Sequence, residues 1–196
     1  MIVGPRRFFR SRDPPSDCSR LRRSLVTEDT MKLNEIKFED LSDITYRMFL
    51  YECAHSDEAN HRAKVLVIEF VGNHGIGSEG NNDSLFMATV IKAALNIWYV
   101  DGLVLDFGKL AYEWGDTIGN VLLAGKSFSG RKFPTAVIVS GICKPALESA
   151  QPFYAIEGDQ QKWLFDDFES ADSYIEEQIE LSRQQSGSKK KSFWRR

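Results

Sequence analysis

Apolar residues fall in short continuous runs along this chain, and the longest runs have the length of β-strands. Val65–Val71 (VLVIEFV) and Gly102–Phe107 (GLVLDF) contain almost no polar residue. Such strands are typical of sheets that are covered on both faces. Three further strands are predicted at Ile44–Cys53, Thr135–Ser140 and Lys162–Phe165, and the first of them should pair antiparallel with Val65–Val71.

Helical periodicity separates these strands. Asp83 is the predicted N-cap of a helix from Ser84 to about Trp98, with an inward stripe of Leu85, Ala88, Ile91, Leu95 and Trp98. A short helix is predicted at Lys144–Ala150, stopped by Pro152, and a last helix from Glu169 to about Gln185, with Ala171, Tyr174, Ile175 and Ile179 inward. Strands that alternate with helices predict a single α/β sandwich with a mixed, largely parallel sheet.

The segment 101–124 (DGLVLDFGKLAYEWGDTIGNVLLA) predicts a strand, a tight turn and a helix. Ile118, Val121 and Leu122 recur at helical spacing and should face the core. Asp116 and Thr117 would then lie at the helix start, where free backbone N–H groups and the macrodipole favour an anion. Either residue can also be a simple N-cap.

Charge is distributed unevenly along the chain. Residues 1–30 carry seven arginines against four acidic residues, and 186–196 carries five basic residues and no acidic one. Because the whole chain has a net charge of −3, the segment 31–185 carries −11. So acidic a core argues against nucleic acid as its ligand. We therefore predict a disordered or mis-called extension at 1–30, with translation starting at Met31, a folded domain at 31–185 and a flexible basic tail at 186–196.

Two further features concern the compartment and the membrane. Cys18, Cys53 and Cys143 are odd in number and widely spaced, which predicts free thiols in a reducing compartment, the cytoplasm. No apolar run has transmembrane length. The tail combines lysines with Phe193 and Trp194 and could touch an anionic membrane, but such a tail is commonly a solvated chain end.

Two stretches of the sequence contain residues typical of cofactor or metal sites. The loop Gly75–Gly80 (GIGSEG) spells the dinucleotide fingerprint, but Asn81 and Asn82 are expected to delay the helix that should bind the pyrophosphate. The group of His55, Asp57, Glu58 and His61, with His74 beyond it, has no standard zinc or calcium spacing. We predict no cofactor and no metal.

Nucleophilic catalysis by Cys143 or Ser127 would need a histidine base, and all three histidines lie between residues 55 and 74. A Ser–His or Cys–His pair would therefore require a long-range contact. No catalytic residue is predicted.

The order of elements from about Ile44 to Ile179 resembles the STAS domain, the fold of anti-sigma-factor antagonists and of the cytoplasmic part of sulfate transporters. VLVIEFVG is similar to the family's second strand, and GLVLDFGKLAYEW to its third strand and turn. Asp116-Thr117-Ile118-Gly119 stands where the family has an Asp-Ser pair followed by a small residue, an apolar residue and glycine. LFDDFESADSYI resembles the pattern that precedes the family's last helix.

The resemblance implies a non-catalytic regulatory domain that binds a protein partner, a kinase-like or anti-sigma-like regulator. It implies a phosphorylation switch at Thr117, with Glu113, Asp116, Ile118 and Gly119 in the partner-binding surface. A phosphate adds a charge of about −1.5 to −2, which beside acidic residues would repel an acidic partner.

An enzyme is the alternative. Phe133-Pro134 before TAVIVSG is similar to the strand that leads to the oxyanion hole of crotonases, a fold shared in outline with Clp proteases and used on acyl-CoA or other acyl substrates. No second glycine-rich turn follows Gly141. Glu113 and Asp116 would be the acid–base candidates in such an enzyme, provided that burial raises their pKa.

Overall fold

The structure is a computed structural model, and it describes residues 35–53, 62–115, 117–126, 133–141, 143–154 and 163–193. Within them the strands are Thr45–Glu52 (β1), Lys64–Asn73 (β2), Gly102–Ala111 (β3), Thr135–Ile138 (β4) and Leu164–Phe165 (β5). The α-helices are Asn81–Trp98 (α1), Ile118–Lys126 (α2), Cys143–Tyr154 (α3) and Phe168–Phe193 (α4), and short 3-10 helices span Phe38–Leu41 and Gly77–Gly80.

The five strands form one mixed sheet in the order β1-β2-β3-β4-β5. β1 pairs antiparallel with β2, and the other neighbours pair parallel. The predicted α/β fold with a largely parallel sheet is confirmed. The two most apolar runs pair directly, and Val65 lies opposite Gly102.

Alternation along the strands divides the core into two layers. Leu66, Ile68 and Phe70 of β2 point to one face, where they pack against buried residues of α1, α2 and α3. Val65 and Val67 point to the opposite face and pack against α4, whose Ala171, Ile175 and Ile179 are buried as predicted. Both faces of the central strands are covered, which explains why their sequences are almost wholly apolar.

A β-bulge interrupts the pairing of β2 with β3 near the carboxyl ends of both strands. Glu69 lies opposite Asp106, but Val71 lies opposite Lys109, so β3 contains one extra residue. The Gly108 N–H is donated to the Asp106 carboxylate at 2.8 Å. The bulge lets the Lys109 ammonium reach the buried Glu69 carboxylate at 2.7 Å, where Arg47 of β1 also binds.

Helix α1 ends at Trp98, as predicted, but its start differs from the prediction. It begins at Asn81 with Gly80 as N-cap, so Asp83 lies in the first turn. There its carboxylate accepts hydrogen bonds from Gly75 N at 2.8 Å and from the Ser42 hydroxyl at 2.5 Å, and so stabilises the preceding loop. Leu85 and Trp98, predicted inward, are about half exposed. Ala88, Ile91 and Leu95 are buried as predicted. The packed face also includes Ser84, Met87 and Ala94, because tertiary contacts set the exact rotation of the helix.

Two other boundaries differ. Helix α3 continues through Pro152 to Tyr154, so the proline does not stop it. Helix α4 continues to Phe193 and so enters the segment predicted as a flexible tail.

Candidate functional site

An open groove of about 750 Å³ lies where the loop after β2 meets the loop after β3. Backbone hydrogen bonds join the two loops: His74 N donates to Ala111 O at 2.9 Å, and Gly77 N donates to Trp114 O at 3.1 Å. The first turn of α1 and the start of α2 complete the groove. Its lining residues are Ile76, Gly77, Ser78, Glu79, Asn81, Trp114 and Thr117.

Trp114 forms one wall of the groove and is held by Gly77. Gly77 has φ +61°, in the left-handed region, and a Cβ at this position would lie 2.8 Å from Cζ3 of the Trp114 ring. Glycine is therefore needed at residue 77 both for the backbone conformation and for the approach of the indole. The Trp114 side chain nevertheless remains 60% exposed, so its outer face is available for contact.

Thr117 lies immediately before α2 and is half-buried at the edge of this groove. Its hydroxyl donates to the Ser84 hydroxyl of α1 at 3.0 Å. Ser84 Oγ is in turn 2.8 Å from His74 Nε2, and His74 Nδ1 is 2.8 Å from the Gly75 carbonyl oxygen. Because a carbonyl only accepts, Nδ1 carries the proton and Nε2 accepts from Ser84. A continuous chain of donors thus runs from Thr117 through Ser84 to His74.

The interior of this chain is closed to solvent. His74 is 5% exposed and Ser84 1% exposed. The Tyr112 ring meets the imidazole edge-on at 5.2 Å between centroids, and a Cβ on Gly80 would lie 2.3 Å from His74 Cε1. The glycine and the aromatic ring therefore shape a closed cradle for the imidazole, and only the threonine end of the chain reaches the groove.

The sequence pattern did not predict the role of this histidine, because its serine partner is 10 residues away and the threonine at the far end of the chain is 43 residues away. The glycines near it were a signal of close packing, since Gly75 and Gly80 leave no room for a Cβ. The serine that contacts a histidine is Ser84, not the candidate nucleophile Ser127, and at 1% exposed it is inaccessible to a substrate.

The other predicted partner-binding residues occupy different environments. Glu113 is exposed beside Trp114, whereas Ile118 is fully buried and Gly119 is also buried. Asp116 lies outside the described residues. Ile118 packs in the core with Val121 and Leu122, as its spacing predicts. Its buried side chain therefore anchors the start of α2 to the core.

Helix α1 begins directly after Gly80, so the prediction that Asn81 and Asn82 delay the helix after the Gly75–Gly80 loop is wrong. The glycines do lie in a strand-to-helix turn, but they serve packing within it. A Cβ on Gly80 would lie 2.3 Å from the Gly75 carbonyl oxygen, and a Cβ on Gly75 would lie 2.8 Å from the backbone of residues 79 and 80. Two of the three glycines thus allow the loop to fold on itself and not to approach a phosphate.

Two of the remaining chemical candidates, Ser127 and the group from His55 to His61, lie outside the described residues. Cys143 is fully buried, and burial raises the pKa of its thiol to about 12, so it is not a nucleophile in the folded protein.

In the part of the chain that the structure describes, none of the helices has the length and apolar character needed to cross a bilayer.

Similarity to known proteins is found among solved structures. No family model matches the chain, and no curated protein matches it. Among solved structures, the chain is similar to an anti-sigma factor antagonist from Mycobacterium paratuberculosis, with 15% identity, a TM-score of 0.42, and coverage of 66% of this chain and 95% of that one. It is also similar to the anti-sigma factor antagonist SpoIIAA in its unphosphorylated form, with 19% identity, a TM-score of 0.33, and coverage of 61% and 89%. At TM-scores below 0.5 these likenesses assign neither a family nor a function to the chain.

Proposed function

We propose that this protein is a regulatory, non-catalytic binding domain whose partner docks over the groove and whose affinity is switched by phosphorylation of Thr117. The observation that carries the proposal is the position of the Thr117 hydroxyl, which lies at a helix start and at the edge of a groove bordered by two exposed apolar side chains. The partner is a protein, of the kinase-like or anti-sigma-like type that the resemblance implies. The free, buried thiols of Cys53 and Cys143 fit a cytoplasmic setting.

Docking is supported by the character of the groove's surface. Ile76 is 55% exposed and Trp114 60% exposed, and both line the groove. A partly exposed tryptophan on a rigid support is a frequent anchor of protein interfaces. Glu79 and Glu113 are exposed nearby and give the rim a negative charge. A partner would therefore bring an apolar contact for the indole and a neutral edge, which offers no counter-charge to an added phosphate.

Phosphorylation would change this surface without a change of fold. A phosphothreonine no longer carries the hydroxyl proton that Thr117 donates to Ser84, and its phosphate would project into the groove. Ser84 keeps its own donation to His74, so the buried part of the chain stays satisfied. The added charge of about −1.5 to −2 would lie near Glu79 and Glu113 and would alter the electrostatic match with the partner.

The test is affinity capture from the native cell, combined with mapping of phosphorylated residues on the captured protein. We expect wild type and Thr117→Val to retain the same partner and Thr117→Glu to lose it. Thr89→Glu is the matched control, because Thr89 is an exposed threonine on α1 that does not line the groove. If Thr117→Glu and Thr89→Glu capture the same proteins as wild type, and no phosphate is found on Thr117, the proposal is wrong.

A second candidate is an acyl-transfer enzyme, and the hydrogen-bond chain from Thr117 to His74 is the observation that favours it. Such a chain could carry the proton of a threonine nucleophile to an imidazole base. Acyl-CoA binding and hydrolysis by wild type, Thr117→Val and His74→Gln separate the candidates. The regulatory proposal expects no turnover by any of the three, and turnover lost in both variants would establish the enzyme.

A further inference from the structure

A second cluster of reactive side chains lies at the opposite end of β2 from the groove. Cys53 follows β1, and its backbone N–H donates to Ala63 O at 2.9 Å just before β2. Asp172 and Glu176 lie one turn apart on α4. The Cys53 thiol and one carboxylate oxygen from each acid lie within 4.8 Å of one another.

We propose that Cys53, Asp172 and Glu176 bind a divalent metal ion of the zinc class through one thiolate and two carboxylates, with water completing the coordination. Zn²⁺ accepts both sulfur and oxygen ligands, at about 2.3 Å and about 2.0–2.2 Å, so three donors this close need only small side-chain rotations to meet one ion. Ca²⁺ and Mg²⁺ take oxygen ligands and have no use for the thiol.

The charge around the cluster favours a cation. The groups that act electrostatically on the Cys53 thiol are Glu176, Asp172 and Asp101, and all three are acidic. A divalent ion would be attracted by these carboxylates, and a coordinating thiol loses its proton to solvent when the metal–sulfur bond forms.

Access and orientation are also suitable. Cys53 is 5% exposed, whereas Asp172 and Glu176 are half-buried, so an ion can enter from the carboxylate side and end against the thiol. The Tyr51 hydroxyl donates a hydrogen bond to Asp172 Oδ1. Partners of this kind hold a ligating carboxylate in place, and Tyr51 is therefore a positioning residue for the site.

The test uses Zn²⁺ titration by calorimetry, and Co²⁺ as a spectroscopic substitute, on the full chain. Wild type should bind one Zn²⁺ per chain and show a thiolate-to-cobalt charge-transfer band. Cys53→Ser should abolish that band, whereas Cys18→Ser and Cys143→Ser should keep it. Glu176→Gln should weaken Zn²⁺ binding by more than the roughly 10–100-fold loss typical of an outer partner, and Tyr51→Phe should fall within that range. Glu177→Gln, which changes an exposed neighbour on the same helix, is the matched control and should bind as wild type.

Absence of a charge-transfer band in wild type, or its persistence in Cys53→Ser with a circular dichroism spectrum like that of wild type, would overturn the proposal. Neither outcome bears on the groove at the other end of β2.

Discussion

Replacement of Ser84 by alanine tests the buried connection between the groove and the core. The substitution removes the hydroxyl that contacts His74 Nε2, and it leaves that buried nitrogen without the serine as its donor. An unsatisfied buried polar group costs about 1–3 kcal/mol. Thr117 also loses its acceptor, but it is half-buried and can bind water, so its loss adds little.

The helix preference of alanine lowers the expected loss of stability. Residue 84 lies within α1, where alanine is favoured over serine by up to about 0.7 kcal/mol, so we expect a net loss of about 0.5–2.5 kcal/mol. Thr117→Val, which removes the outer hydrogen bond and leaves the bond between Ser84 and His74, should cost only about 0.5–1.5 kcal/mol. Destabilisation should therefore be larger for Ser84→Ala than for Thr117→Val.

The assay is urea unfolding at neutral pH, followed by tryptophan fluorescence, to which the buried Trp163 contributes, and by circular dichroism. At an m-value of about 2 kcal/mol/M, a loss of about 2 kcal/mol shifts the midpoint by about 1 M. Ser173→Ala is the matched control, because Ser173 is an exposed helical serine on α4 and its loss should be neutral or slightly stabilising. Equal stability of Ser84→Ala and Ser173→Ala, or a larger loss for Thr117→Val than for Ser84→Ala, would refute the reasoning.

Three further results are expected. The hydrogen bond from Lys109, together with Arg47, lowers the pKa of the Glu69 carboxyl despite its burial. Glu69 therefore contributes stability above the ordinary glutamate pKa of 4.5, and this contribution is lost as the pH falls below that value. In urea titrations from pH 7 to pH 3, Glu69→Gln should flatten the decline in stability, and an unchanged slope would contradict the assignment. Gly77→Ala should cost roughly 1–3 kcal/mol and shift the emission of Trp114, because it places a Cβ in the left-handed region against the indole; a variant with wild-type emission and stability would show that the loop adapts. Cys143 should resist thiol reagents at pH 8 until denaturant is added, since burial raises its pKa to about 12, and rapid labelling of the native protein would show that its region of α3 opens.

The sequence alone determined the framework of this protein. Val65–Val71 and Gly102–Phe107 are so apolar that only burial on both faces suits them, and the structure has both strands in the covered part of the sheet. The stripe of Ala171, Ile175 and Ile179 likewise fixes the buried face of α4. These predictions succeed because strand and helix periods are local properties of the chain.

Tertiary structure decided the two candidate sites. His74, Ser84 and Thr117 come together only because two loops meet at the same edge of a parallel sheet. Cys53 reaches Glu176, 123 residues further along the chain, only because α4 packs across the end of β1. No local period records such contacts, since the positions of loops and the rotation of helices depend on how the whole core packs. The outward rotation of Leu85 on α1, away from the place that the apolar pattern gave it, has the same cause.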